Sequence, residues 1–325
     1  MILDFDDTCW THDCDEWKRG LIELLVLLAN RQQHALLAVP DLMLGWCGSF
    51  LHLHTEYFKT RLASAQVRAN ALRIRIAPNG GSQVVGAPPW SLTARAAFAI
   101  VNQPLRLVLE NDQSDRLFVE STVPAFSTWC SNGWIEPVMG GGSHMKNKID
   151  AASVLPVDRW RTFYLFDSDR LHPTELDANW VPPGGEACMG HVFERACVAM
   201  PARRWHQLER RSIENYLPPS LLATRNAATS AALFDASVGS MMYFYNFKAG
   251  LAGDGVHPPA PRPTVRASRS QGFWTALPAA SLAALERGFG KAVAEEFNNV
   301  PANQAWPASV IVEMSNLSDA LQDAI

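Results

Sequence analysis

FYLFDSD, Phe163 to Asp169, joins an unbroken apolar run to two carboxylates. A short run with no helical stripe and no polar interruption reads as a strand buried on both faces, the mark of a parallel sheet. Asp167 and Asp169 then fall at the strand's carboxyl end, where open α/β sheets collect their ligands. Strand side chains alternate, so the two acids face one way only if the second has left the pleat. An exit from strand to loop meets that condition and lets both reach one cation. The plainer reading is an Asp turn at a strand end.

Working outward, LRLVLE (105–110), WIEPVMGG (134–141) and ARRWHQLE (202–209) read as three further strands. Helices are expected at Ser114–Ser121, with Ser114 as N-cap, and at Gly185–Met200. SIENYLPPSLLA (212–223) reads as a helix stopped by prolines. Alternating strands and helices imply a parallel sheet with right-handed crossovers. The expected fold is therefore α/β: a Rossmann-like parallel sheet flanked by helices at about 104–228, within a domain spanning 104–325. Its carboxyl-terminal extension holds YNFKAGL, a proline-rich loop (256–264) and an amphipathic helix at 279–299 with Leu282, Leu285, Phe289 and Val293 on one face. Residues 1–103 read as a mainly helical region, with helices at Glu16–Asn30 and His52–Ile74 before the loop signals APNGGSQ and GAPPW.

The 325 residues are 48% apolar and 18% charged, a globular composition, and the net charge of −4 argues against coating nucleic acid by bulk electrostatics. Arg203, Arg204, Arg210 and Arg211 could still form a local basic groove, or only a solvated face. The six cysteines form no CxxC pair and read as reduced thiols. The start MILDFDDT is acidic, and the apolar stretch LIELLVLLAN carries Glu23 and is too short to cross a bilayer. A cytoplasmic protein with no membrane partner is expected.

Two more acidic clusters end apolar runs. Glu110 stands in LENDQSD with Asp112 and Asp115, and Glu214 in RRSIENYL. Each alone reads as a helix cap or an arginine partner. Together with Asp167 and Asp169 they form an oxygen-only donor set, which favours Mg²⁺ or Mn²⁺ over softer metals.

In order and spacing these motifs resemble the TOPRIM fold, and specifically TOPRIM nucleases of the OLD kind, over roughly residues 104–255. The resemblance implies a metal-dependent endonuclease acting on DNA or RNA. Glu110, Asp167, Asp169 and Glu214 would be metal ligands or general base, Asp115 a secondary member, and Lys248 in YNFKAGL the lysine that often follows. It also implies a role in antiphage defence beside an ATPase. That ATPase would be a separate subunit, since the chain has no GxxxxGK[ST]. Assembly with further copies of the chain stays open. Asn111 departs from the glycine expected after Glu110 and is expected to weaken that loop. Lys146 and Lys148 follow GGGSHM, and either could steady a scissile phosphate.

Two rivals stand beside this reading. ILDFDDT fits the motif of haloacid-dehalogenase-like phosphatases, with Asp4 as nucleophile and Asp6 as acid/base, but only three residues precede Asp4 to build its strand. The other rival is a degenerate TOPRIM scaffold that binds nucleic acid or a partner without cutting.

Overall fold

The computed structural model describes residues 1–63, 71–111, 113–185, 188–200, 204–259 and 265–325. Asp112, Arg203 and part of the proline-rich loop lie outside the described residues. Among the described residues, eight strands form two four-stranded, all-parallel sheets. The first holds β1 (Ile2–Phe5), β2 (Ala35–Leu37), β3 (Arg73–Gly81) and β4 (Trp90–Leu92) in the order β2-β1-β3-β4. The second holds β5 (Leu105–Leu109), β6 (Ile135–Met139), β7 (Thr162–Phe166) and β8 (Trp205–Gln207) in the order β6-β5-β7-β8.

The four strands expected after residue 104 are all present, and the α/β reading holds. The amino-terminal region differs. Its helices Asp15–Arg31, Pro40–Phe50, Thr55–Ala63 and Ala94–Val101 are there, but they accompany a parallel sheet that the sequence reading missed. Ile74, expected at the end of a helix, lies in β3. The strands β1, β2 and β4 have four residues or fewer, so none leaves a readable period.

Each strand of the second sheet's centre is covered on both faces. Leu105, Leu107, Leu109, Phe163 and Leu165 pack into one core with Phe118, Val119 and Phe126. Val108, Tyr164 and Phe166 point the other way, onto Met145, Ile149, Phe193 and Cys197. That alternation explains why FYLF looks uniformly apolar in sequence.

Three helix expectations are corrected. Ser114 begins the helix Ser114–Thr122 but does not cap it. The Asn111 side chain accepts from the Gln113 and Ser114 N–H groups at 3.0 and 3.4 Å. The IENY segment is a 3₁₀ turn, Ile213–Tyr216, and the helix starts only at Pro219. The stretch 279–299 is broken into a helix Ala279–Ala284 and a 3₁₀ segment Val293–Asn299, because Gly288 and Gly290 between them take positive φ. Leu285, Phe289 and Val293 are buried all the same.

The two sheets meet through side chains that reach across. Trp134 donates its indole N–H to the Arg31 carbonyl at 2.8 Å, Trp160 meets Trp90 edge to face, and the fully buried Arg161 donates to the Gln103 carbonyl at 2.7 Å. No described helix is long and apolar enough to cross a membrane.

Candidate active site at the edge of the second sheet

In the order β6-β5-β7-β8 the chain runs outward from β5 to β6, then returns to lay β7 on the other side. The crevice outside the carboxyl ends of β5 and β7 is thus a topological switch point. Glu110 is the first residue after β5 and Asp167 the first after β7. The Asp167 N–H donates to Glu110 Oε1 at 3.0 Å, locking the two strand ends together.

Glycine makes that exit possible at two points. A Cβ on Gly140 would stand 2.6 Å from the Leu109 carbonyl oxygen, and one on Gly190 only 2.2 Å from that of Ser168. The helix Met189–Val198 therefore sits directly on the Asp167–Ser168 backbone. Its Gly190 N–H donates to Asp169 Oδ2 at 3.2 Å, while Asp169 takes a left-handed φ of 53°. Aspartate tolerates that conformation better than most side chains.

The other expected residues arrive from separate elements. Asp115, in the first turn after Glu110, accepts from the Asn111 N–H at 2.9 Å and from the Ser114 hydroxyl at 3.2 Å. Asn111 thus builds the loop that it was expected to weaken. The 3₁₀ turn brings the Ile213 N–H to Asp167 Oδ1 at 3.0 Å and carries Glu214, 2% exposed, to Lys248 Nζ at 2.9 Å. The second oxygen of Glu214, Oε2, is buried and accepts from no described group.

Five carboxylates thus sense one another. Burial pushes the Glu110 carboxyl up to about 8, and the charge of Asp169 adds to it. Asp115 is pushed up to about 6 by burial, partly offset by its hydrogen bonds from Asn111 and Ser114. Asp167 stands well above the usual carboxylate range, from burial and then from Glu110, Glu214, Asp115 and Asp169. Burial pulls the Lys248 ammonium down, but Glu214, Asp167 and Asp115 more than offset it and the net shift is upward. Among the described residues, Lys248 is the cation ion-paired into this set, and no arginine is.

All six expected residues are therefore coupled by charge at this end of the sheet, and of them Glu214 and Lys248 line a cavity. As placed, no three His, Cys, Asp or Glu side chains among the described residues close to a ligand shell. The donor chemistry nevertheless fits a hard divalent cation: oxygen atoms alone, several crowded carboxylates, and one buried oxygen without a donor. Beside Glu214 lies a cavity of about 200 Å³, lined among others by Asn111, Ser114, Lys248, Lys291 and Asn298.

The remaining basic residues singled out in the sequence are, where described, engaged within the chain. Arg204, Arg210 and Arg211 are 1%, 8% and 6% exposed, so they form no basic groove. Arg210 instead lies over the rings of Tyr216 and Tyr243, and Arg211 pairs with Asp254. Lys146 is paired with Asp150 at 2.6 Å, and Lys148 donates to the Met139 carbonyl. Lys291, which the sequence reading passed over, lines the cavity instead.

The first sheet has its own switch point. Asp4 lies within β1, which pairs on both sides, so the shortage of preceding residues is no obstacle to a strand. However, Asp4 accepts from Arg73 at 2.7 and 3.2 Å, and Asp6 accepts from Arg75 and Thr8. Cavities of about 800 and 620 Å³ open at this edge, and their linings mix acids with arginines. Comparisons with protein-family models, curated proteins and solved structures found no match.

Proposed function

We propose that the chain is a metal-dependent nuclease with a TOPRIM-like second sheet, cutting phosphodiester bonds of DNA or RNA at the crevice between β5 and β7. The observation that carries this reading is the accumulation of Glu110, Asp115, Asp167, Asp169 and Glu214 around a single paired lysine. Buried like charges repel unless protonated or bound to a cation. Mg²⁺ or Mn²⁺ held by Glu110, Asp167, Asp169 and Glu214 would polarise a phosphodiester and acidify a bound water.

The chain's own residues do the rest. Lys248 and Lys291 line the cavity where a phosphate would approach and offset its charge as pentacoordinate character develops. The Asp167 and Ile213 N–H groups hold the Glu110 and Asp167 carboxylates in place, so little reorganisation is left for the reaction. A carboxylate of the set left free by the metal would take the proton from water. The antiphage setting and the separate ATPase rest on the resemblance alone.

The test is cleavage of supercoiled plasmid and of total tRNA by the purified protein with Mg²⁺, Mn²⁺ or EDTA, beside Asp167→Asn. Metal-dependent products that vanish in the variant support the reading and name the substrate. No products and no metal binding would leave the scaffold that only binds.

A further inference from the structure

The turn that carries Glu214 has four consecutive buried residues, and each is tied to a different part of the molecule. The Ile213 N–H goes to Asp167, and the Glu214 carboxylate goes to Lys248. The Asn215 side chain donates to the Met242 and Tyr245 carbonyls at 3.2 and 3.0 Å, just ahead of Lys248. Tyr216 reaches away from the site. Its hydroxyl lies 2.7 Å from both carboxylate oxygens of Glu313, on the helix Ala308–Ala324, and accepts from the Arg210 N–H at 3.2 Å.

Glu313 also accepts from the Glu209 N–H at 2.8 Å. One carboxylate thus fastens both ends of the segment 209–216, whose middle supplies Glu214. The His206 ring stands 3.5 Å from the same oxygen, and no described lysine or arginine is ion-paired with Glu313. Its helix otherwise buries an apolar stripe of Val310, Met314, Leu317 and Leu321. A buried acid is a costly way to fill such a stripe, and leucine there would serve stability as well. The acid's hydrogen bonds are what it offers in return: they fix a turn that internal backbone bonds alone hold weakly.

We propose that Glu313 is a positioning residue for the site, acting through Tyr216 and the Glu209 N–H to hold Glu214 where it meets Lys248 and the metal. The proposal rests on the nuclease reading above. Partners that orient metal ligands in this way are typically worth about 10–100-fold in metal affinity or activity.

The test compares wild type, Glu313→Ala, Glu313→Gln and Tyr216→Phe on the substrate that wild type cleaves, together with Mn²⁺ binding to each free protein. Glutamine keeps an acceptor for the Glu209 N–H and a polar partner for Tyr216, so it serves as the conservative rescue. The expected result is a fall in kcat of about 10–100-fold for Glu313→Ala and Tyr216→Phe, with weaker Mn²⁺ binding, KM within about twofold, and recovery in Glu313→Gln. Tyr216→Phe removes one oxygen and preserves the packing, so it guards against a Glu313→Ala variant that fails to fold. Unchanged kcat and Mn²⁺ affinity in folded Tyr216→Phe and Glu313→Ala overturn the positioning role while leaving the nuclease intact. Activity lost only in proportion to the folded fraction assigns the network to stability and overturns it too. A wild type that neither cleaves nor binds Mn²⁺ overturns both.

Discussion

Replacing Glu110 by glutamine should stabilise the metal-free protein at alkaline pH, although it removes a proposed ligand. Burial and the Asp169 charge raise this carboxyl from an ordinary 4.5 to about 8. The folded chain therefore binds more protons than the unfolded one between those values, and stability falls as pH rises through that window. The slope is about 1.4 kcal/mol per pH unit while Glu110 is ionised only in the unfolded chain. At pH 8 the deficit is roughly 4 kcal/mol, and at pH 5 it is under about 1 kcal/mol. Glutamine keeps the oxygen that accepts the Asp167 N–H and carries no charge. For a chain of this length each kcal/mol moves Tm by about 1.5 °C, so Glu110→Gln in EDTA should melt about 6 °C above wild type at pH 8 and nearly with it at pH 5. Calorimetry at both pH values, with EDTA and with Mg²⁺, makes the comparison. Mg²⁺ should raise Tm of the wild type and close the gap, because a cation that binds only the folded state stabilises it. A glutamine variant less stable than wild type by the same amount at both pH values would refute the reasoning, because Glu110 would then be a structural acceptor and not a repelled charge.

Gly190→Ala places a methyl group against the Ser168 carbonyl, so the helix Met189–Val198 must lift from the Asp167–Asp169 loop; cleavage should be lost while circular dichroism still shows the α/β content. Asp6 is lowered from 3.8 to about 2, first by the Thr8 hydroxyl and then by Arg75. Its contribution to stability is therefore complete above the unfolded value and lost as pH falls through about 2. Urea melts from acidic to neutral pH should show wild type more stable than Asp6→Asn above pH 4 and the two converging below pH 2.

The second sheet was legible because its strands are long enough to show unbroken apolar runs, and its acids stand directly after them. FYLF before Asp167 and LRLVL before Glu110 give both the strand and the position of the candidate site at once. The first sheet was hidden for the opposite reason: ILDF, ALL and WSL are too short to carry a period, and their neighbours are strong helices. Arg204, Arg210 and Arg211 misled because a run of arginines looks alike whether solvated or buried under aromatic rings. Glu313 lies three residues after Val310 and so on the apolar face of its helix, a spacing that marks a buried acid, but only the fold shows that its partner is Tyr216.

The two sheets share one strand order, a first strand flanked by the second and third with the fourth outermost, and this makes their edges comparable. At the first edge, acids on β1 and just after it face arginines on the third strand, so Asp4 meets Arg73 and Asp6 meets Arg75. The charges cancel within the chain. At the second edge, the third strand ends on Asp167 and Asp169, beside the acid that ends the first. Among the described residues, Lys248 is the cation ion-paired with these acids, while Arg211, paired with Asp254, reaches Asp169 only through its longer-range charge. If that sheet needed only to be stable, arginines in the corresponding places would have served it as they serve the first. The proposed cation would therefore supply from solution what arginines supply at the first edge, with the buried Oε2 of Glu214 as one of its ligands, displacing the protons that the crowded carboxyls otherwise hold.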